Sequence, residues 1–316
     1  CIVNIKRAIC LLTLFFMICG FNISTNFVFQ SLDVKVRFTK RIKIPYIIDG
    51  LKVEFFIPDN YTNGVNIQKI SSTTTGNILG GQFTQTTFRD KYGNKKMRIV
   101  FKNPVNEVFI DFAFTFSSRV TPRRNNFPSR YPLGPIKLKK FKKYLYPTSK
   151  TQLGNLRLKS IVNLLTKNQN NVYKVALRIL SWIQKNIIHS PNVRYDDGLT
   201  TFLNGRGNYK GILNLALIMM RHAKLPARAV KGISIDKQYY YKNNNILLLN
   251  YPKGYHSWIE VFFPSRSWVP FDLFSSYFFI PDNMVRLGCG ADTEEIKDIQ
   301  VFTNGYNTTS NENFFF

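Results

Sequence analysis

The chain predicts an α+β protein, an N-terminal β-sandwich-like module followed by a second α+β domain, and three observations predict it. From about Asp33 to Phe116 the apolar residues come in short alternating or continuous runs; from Val172 they recur every three or four residues; after Leu225-Pro226 strand-like runs return. A length of 316 residues accommodates two domains, and 44% hydrophobic residues with 28 Phe and 16 Tyr are ample for a packed core.

Residues 1–30 read as a signal or anchor segment. Lys6 and Arg7 precede the apolar run Ala8 to Phe21, which has the length of a signal-peptide core and is short for a spanning helix. The polar FNISTN stretch detaches that run from the strand-like segments after it. Cys19, after Phe15-Phe16-Met17-Ile18 and before Gly20, resembles a loosely formed bacterial lipobox and is a candidate for lipidation. Ordinary cleavage and an uncleaved anchor stay open beside it. Each alternative puts the bulk of the protein outside the cytoplasm, in the cell envelope or membrane-anchored on its periplasmic or surface side.

Residues 31–118 form the predicted β module. VKVRFTKRIKI, LKVEFFIP, KMRIVF and EVFIDFAFTF are strand-like, with turn chemistry at Pro58-Asp59-Asn60 and Lys91-Tyr92-Gly93-Asn94. Residues 119–150 carry Pro122, Pro128, Pro132, Pro135 and Pro147 among basic residues and read as a connector. The second domain is expected over 151–300, with 301–316 as a tail. Within it Val172, Val175, Ile179, Ile183 and Ile187 mark an amphipathic helix. YKGILNLALIMMRH (209–222) predicts a helix apolar nearly all round, hence buried, with Asn208 as N-cap. ARAVKGISI (227–235) predicts a strand, and 236–254 a poorly patterned loop.

The formal charge is +26, and between Phe112 and Tyr195 there is no Asp or Glu against seventeen Lys and Arg. Such a field attracts an anionic membrane surface or a polyanion, although a solvated, compositionally biased surface explains the same charge. Specific nucleic-acid recognition is not expected, because zinc-finger spacing, an aromatic RNP signature and a helix-turn-helix pattern are all missing. Three of the four cysteines, Cys1, Cys10 and Cys19, fall in the first twenty residues, leaving Cys289 alone in the globular part. That excludes an internal disulfide and a four-thiolate zinc site there, and no metal or cofactor is expected.

One constellation carries chemistry. His256 heads the strand-like run HSWIEVFF, Pro264-Ser265-Arg266-Ser267 is a turn, and Asp272 closes the next run, WVPFD. Reversal at the turn sets His256 opposite 272 to 275, so Asp272 is an opposite or diagonal neighbour at roughly 5–8 Å between β-carbons. An imidazole oriented by a carboxylate is half of a nucleophilic triad, and it is equally a buried pair that staples a hairpin. Glu260 shares the strand face of His256 under the period of two and is a candidate second carboxylate. His189 and His222 read as surface or helix-end residues, and Trp258 and Trp268 as core aromatics.

The order GRGNYKGILNLALIMMRHAKLPARAVKGIS, YHSWIEVFFPSRSWVPFD, RLGCGADTEEI resembles the transglutaminase-like core of the papain-like cysteine enzymes, over roughly Val172 to Asp298. The preceding strands resemble the β domain that stands ahead of many bacterial members. The resemblance implies a Cys-His-Asp triad in which a G-x-C motif opens the buried helix, with His256 as base and Asp272 as its orienting partner. At the nucleophile position stands Tyr209. A phenol titrates near 10 and is a weaker nucleophile than a helix-terminal thiolate, so amide chemistry by this route is expected to be lost. The expectation is a pseudoenzyme that binds a peptide, cell-envelope or protein ligand. Two alternatives stay open: a cysteine-dependent transamidase or peptidase acting through Cys289 or a partner's thiol, and a polyanion- or membrane-surface-binding protein acting through Arg119 to Lys143.

Overall fold

The computed structural model describes residues 32–43, 50–63, 66–120, 129–134, 141–234, 238–243, 245–250, 254–275, 278, 280, 284–297, 300–302 and 309–315. Strands β1 (Leu32–Lys43), β2 (Gly50–Phe56), β3 (Tyr61–Thr62), β4 (Asn66–Leu79), β5 (Gln82–Arg89), β6 (Lys95–Lys102) and β7 (Glu107–Val120) come first. Helices α1 (Leu156–Thr166) and α2 (Val172–Asn186), strand β8 (Ile188–His189), helix α3 (Gly198–Asn204), strand β9 (Arg206–Gly207) and helix α4 (Tyr209–His222) come next. The chain ends in β10 (Ala227–Ser234), β11 (Gln238–Asn243), β12 (Asn245–Asn250), β13 (Gly254–Phe263), β14 (Ser267–Phe271), β15 (Met284–Gly290), β16 (Gln300–Phe302) and β17 (Thr309–Phe315). The mixed α+β class predicted from the sequence is the class observed.

The first strands build a sandwich because their apolar residues alternate. Val108, Ile110, Phe112, Phe114 and Phe116 of β7 point inward from a sheet ordered β17-β1-β7-β4-β3. They meet Leu51, Val53 and Phe55 of β2 and Met97, Ile99 and Phe101 of β6, from a sheet ordered β16-β2-β6-β5. A single-residue slip would turn either set into water, which makes the register strongly specified. Phe55 and Phe112 close the seam edge-to-face, with ring centroids 5.7 Å apart.

The C-terminal stretch is part of this sandwich. Thr309 to Phe315 pair antiparallel with Lys43 to Arg37 of β1, and Gln300 to Phe302 with Glu54 to Lys52 of β2. Local pattern makes residues 301–316 a tail, because their partners lie at the other end of the chain. The segment expected as a loop at 236–254 contains an antiparallel ribbon, Gln238 opposite Asn250 through Asn243 opposite Asn245. Much of the connector 119–150 lies outside the described residues, as does the whole of 1–30 with Cys19. Among the described residues no helix is long and apolar enough to cross a membrane.

Each of the four described α-helices opens on an Asn or Asp cap. Asn155 accepts from Leu158 N, Asn171 from Tyr173 N and Lys174 N, Asp197 from Thr200 N, and Asn208 from Gly211 N. A cap of this kind is worth about 1 kcal/mol against alanine. Helix α4 is buried from Gly211 through Arg221 and packs between α1, α2 and α3 on one side and the sheet ordered β14-β13-β10-β15 on the other. Ile259, Val261 and Phe263 of β13 face this helical core. The opposite face of the same sheet meets the sandwich, where Ile233, Val285 and Leu287 join the sandwich core.

Arg221 ties the layers together at the far end of α4. It is 1% exposed and donates to the carbonyls of Tyr146 and Ala291 and to Thr151 Oγ1. Burial pulls its guanidinium down to about 10, with Asp292 countering. Gly232 is a second keystone. A β-carbon there would meet Trp258 Cη2 and the Val285 carbonyl, each at 2.4 Å. Gly232→Ala is expected to cost about 1–3 kcal/mol in chemical denaturation, since the backbone carbonyl has nowhere to move. An unchanged midpoint would contradict that packing.

Candidate functional site

The opening of α4 and the hairpin β13–β14 converge. Asn208 caps the helix, and its Nδ2 donates to the carbonyls of Val193 and Tyr195, which pins the preceding loop. Gly211 sits against Thr201 of α3, whose Oγ1 would be 2.2 Å from an added β-carbon. This tight packing leaves Tyr209, the first residue of the helix, directed toward β13.

In the hairpin, Ile259 pairs with Phe271 and Phe263 with Ser267, so His256 would fall opposite residue 274 and Asp272 lies on the diagonal. The diagonal contact forms: His256 Nε2 is 2.9 Å from Asp272 Oδ2. Asp272 is fully buried, and its other oxygen accepts the Phe274 N–H at 3.0 Å. The carboxylate is therefore held from two sides and fixes the imidazole plane. Pro270 is tolerated in β14 because that strand is the edge of its sheet.

Strand β14 ends at Phe271, so the main chain of Ser257, on the side of β13 away from β10, meets no strand partner. The Tyr209 hydroxyl takes that place. It accepts the Ser257 N–H at 3.0 Å and donates to the Ser257 carbonyl. The same oxygen lies 3.3 Å from His256 Nδ1. The phenol ring stacks on Phe274 at 4.3 Å and 19°. Phe274 is 37% exposed and forms the outer wall, against the His189 ring at 5.2 Å. Tyr209→Phe would strand a buried backbone donor and acceptor together. We expect a loss of about 1–3 kcal/mol, measured by urea unfolding; a neutral variant would mean that water replaces the hydroxyl there.

The other candidates are placed elsewhere. Glu260 does share the face of His256, but its carboxylate is spent on Arg228 and Arg286. Arg228 Nε donates to Oε2 at 2.6 Å, Tyr61 Oη donates to Oε1 at 3.1 Å, and Arg286 Nε lies 3.4 Å from Oε1. Burial alone would raise the Glu260 carboxyl; the two guanidiniums hold it below the usual carboxylate range. Tyr61 is pushed up to about 12 by burial and by Glu260. Cys289, in β15, is 2% exposed, a free thiol among Val230, Trp258, Ile280 and Met284, with its N–H and carbonyl both clasped by Asn94. It pairs with Val230, two strands and roughly 10 Å across the sheet from β13. Of the basic segment, Lys142 packs over Tyr146, and Lys143 donates to the Lys91 carbonyl. His222 ends α4, with its ring held below the usual range by burial and by Lys159 and Lys224. Among the described residues no cluster of His, Cys, Asp or Glu could hold a metal ion.

Ser257 and Phe274 are the site residues that sequence reasoning missed. Ser257 acts through its backbone, which carries no side-chain signal; Phe274 is readable only as two residues beyond Asp272.

The family description Transglutaminase-like superfamily matches residues 159–273, a span that contains Tyr209, His256 and Asp272. A solved structure named "Putative Cysteine Protease from Cytophaga hutchinsonii" superposes with a TM-score of 0.64 at 16% identity, over 91% of each chain. At that identity the fold is what is shared, and it extends over the β module as well as the helical core. The periplasmic domain of TgpA from Pseudomonas aeruginosa aligns with a TM-score of 0.36 at 14% identity, over 74% of this chain and 86% of that one. No curated protein matches the chain. The match over 159–273, resting on the α4 helix and the β13–β14 hairpin just described, makes that span a transglutaminase-like superfamily domain with the papain-like α+β fold.

Proposed function

We propose that this is an exported transglutaminase-like protein that works by binding a ligand in its cleft and does not acylate, with Tyr209 standing at the nucleophile position. The contact of the Tyr209 hydroxyl with His256 Nδ1 at 3.3 Å carries this reading. The imidazole and its carboxylate are positioned for proton transfer, and the group in front of them is a phenol. A phenol that titrates near 10 is poorly suited to attack an amide at neutral pH. Burial of Cys289 at 2% exposure supports the same reading, because the one thiol of the described residues is not accessible to a substrate. The signal-like run at 8–21 supports export.

The ligand in this reading is a peptide, a cell-envelope fragment or a protein segment lying against Tyr209, His256 and the partly exposed Phe274. Two measurements test the reading together. Incubated with a glutaminyl peptide and a primary amine, the protein is expected to release no ammonia above background. Turnover that vanishes in His256→Ala would overturn it. Iodoacetamide is expected to label native Cys289 only slowly near neutral pH, and rapid labelling would revive a thiol mechanism.

A further inference from the structure

A polar pocket lies between the sandwich and the helix-backed sheet, on the face turned away from α4. Tyr61, Asn66, Gln68, Trp258, Glu260 and Arg286 are among its walls, and about 20 Å³ inside it is open to the centre of a water-sized molecule. That exceeds the roughly 10–15 Å³ one water needs.

Its chemistry is unbalanced in one direction. Two guanidiniums face one carboxylate: Arg228 Nη2 is 2.5 Å from Glu260 Oε2, and Arg286 Nε is 3.4 Å from Oε1. Among the described residues Glu260 is the only carboxylate paired with either arginine. The cluster therefore retains one buried positive charge, and an uncompensated buried charge costs several kcal/mol. Three buried polar atoms of residues that line the pocket lack a hydrogen bond: Trp258 Nε1, Arg286 Nε, which lies 3.4 Å from Glu260 Oε1, and Asn66 Oδ1. Trp258 is 3% exposed, so its indole N–H has no access to bulk water. The first two atoms are donors. Turning the Asn66 amide to present Nδ2 breaks no bond at Oδ1 and adds a third. Gly232 permits this arrangement by letting the Trp258 ring lie where a β-carbon would be.

We propose that this pocket binds a small carboxylate, of formate or acetate size, whose oxygens accept from Trp258 Nε1 and Arg286 Nε and whose charge balances the second arginine. Nothing in the cleft chemistry requires it, and it shares no donor with the Tyr209–His256–Asp272 cluster. Its failure would leave the functional reading untouched.

The protein has 3 tryptophans, so the indole N–H resonances of the full chain report on the site directly. Titrating sodium acetate against sodium chloride at equal ionic strength should shift one indole resonance to saturation, that of Trp258, identified by its loss in Trp258→Phe. Arg286→Gln should weaken that saturation at least about tenfold. Should Arg286→Gln not fold, acetate should still raise the melting temperature of the unmodified protein more than that of Trp258→Phe, since binding to the native state stabilises it. A response that never saturates, an equal response to chloride, or equal melting shifts in the two proteins would overturn the proposal and leave a pocket that holds water only.

Discussion

Tyr209→Cys is expected to create a reactive thiol where the present chain has none. The new sulfur would sit at the first turn of α4, a helix of 14 residues whose unpaired N–H groups and dipole favour an anion there. Removing the phenol also uncovers His256 Nδ1, which the hydroxyl now faces at 3.3 Å, while Asp272 still holds Nε2 at 2.9 Å. Alkylation by iodoacetamide near pH 7 should therefore exceed that of buried Cys289 by about tenfold or more. A further His256→Ala change should slow it again, and base catalysis of this kind is worth about 100-fold or more when a substrate is engaged. Ring loss will cost stability as well, because the stacking on Phe274 and both Ser257 hydrogen bonds go with it. If the Tyr209→Cys thiol reacts no faster than Cys289, residue 209 does not occupy a nucleophile position.

The largest effect on stability should come from Glu260→Gln. The carboxylate is 1% exposed and receives Arg228 and Tyr61 directly, with Arg286 at 3.4 Å. Its removal leaves two guanidiniums buried without a counter-charge, and breaking such a pair costs about 3–5 kcal/mol. A fall in melting temperature on the order of 10 °C would accompany it. The same cluster gives stability a pH dependence at both ends. The Glu260 carboxyl is depressed in the folded protein, so its contribution is present above the unfolded value near 4.3 and is lost as pH falls through the lower folded value. Tyr61 is raised to about 12, so its contribution is complete below about pH 10 and is lost between there and about 12. Glu260→Gln should flatten the acid side of a melting-temperature profile, and Tyr61→Phe the alkaline side. Profiles that keep both slopes would show that other groups set them.

Particular residues show where sequence reading succeeds. Asn208, the apolar run from Ile212 to Met220 and the Leu225-Pro226 exit define α4 to the residue, since capping and burial on all sides are written locally. The turn expected at 264–267 brings Asp272 opposite or diagonal to His256, and the pairing of Ile259 with Phe271 decides for the diagonal. Helices α1 and α3 escape such a reading although Asn155 and Asp197 carry the same cap signal, because α1 exposes Leu156 and Leu164 and α3 has only seven residues. Local pattern puts Glu260 on the correct strand face with the wrong neighbours. The period of two decides which side a residue takes, and it is silent about what packs there.

The chain by itself determined the strand and helix periods, the Asn208 cap, the hairpin turn and the identity of the residue at the start of α4, all consequences of interactions within a few residues or across one turn. Only the tertiary structure decided that β16 and β17 return to the first strands, that the Tyr209 hydroxyl plugs the unpaired main chain of Ser257, and that Arg228, Glu260, Arg286 and Tyr61 share one buried cluster. Tyr61 and Glu260 are 199 residues apart, and Gln68 and Arg286 218. Contacts at such separation arise from how two hydrophobic faces close against each other, and no local pattern encodes which polar side chains that closure will trap together.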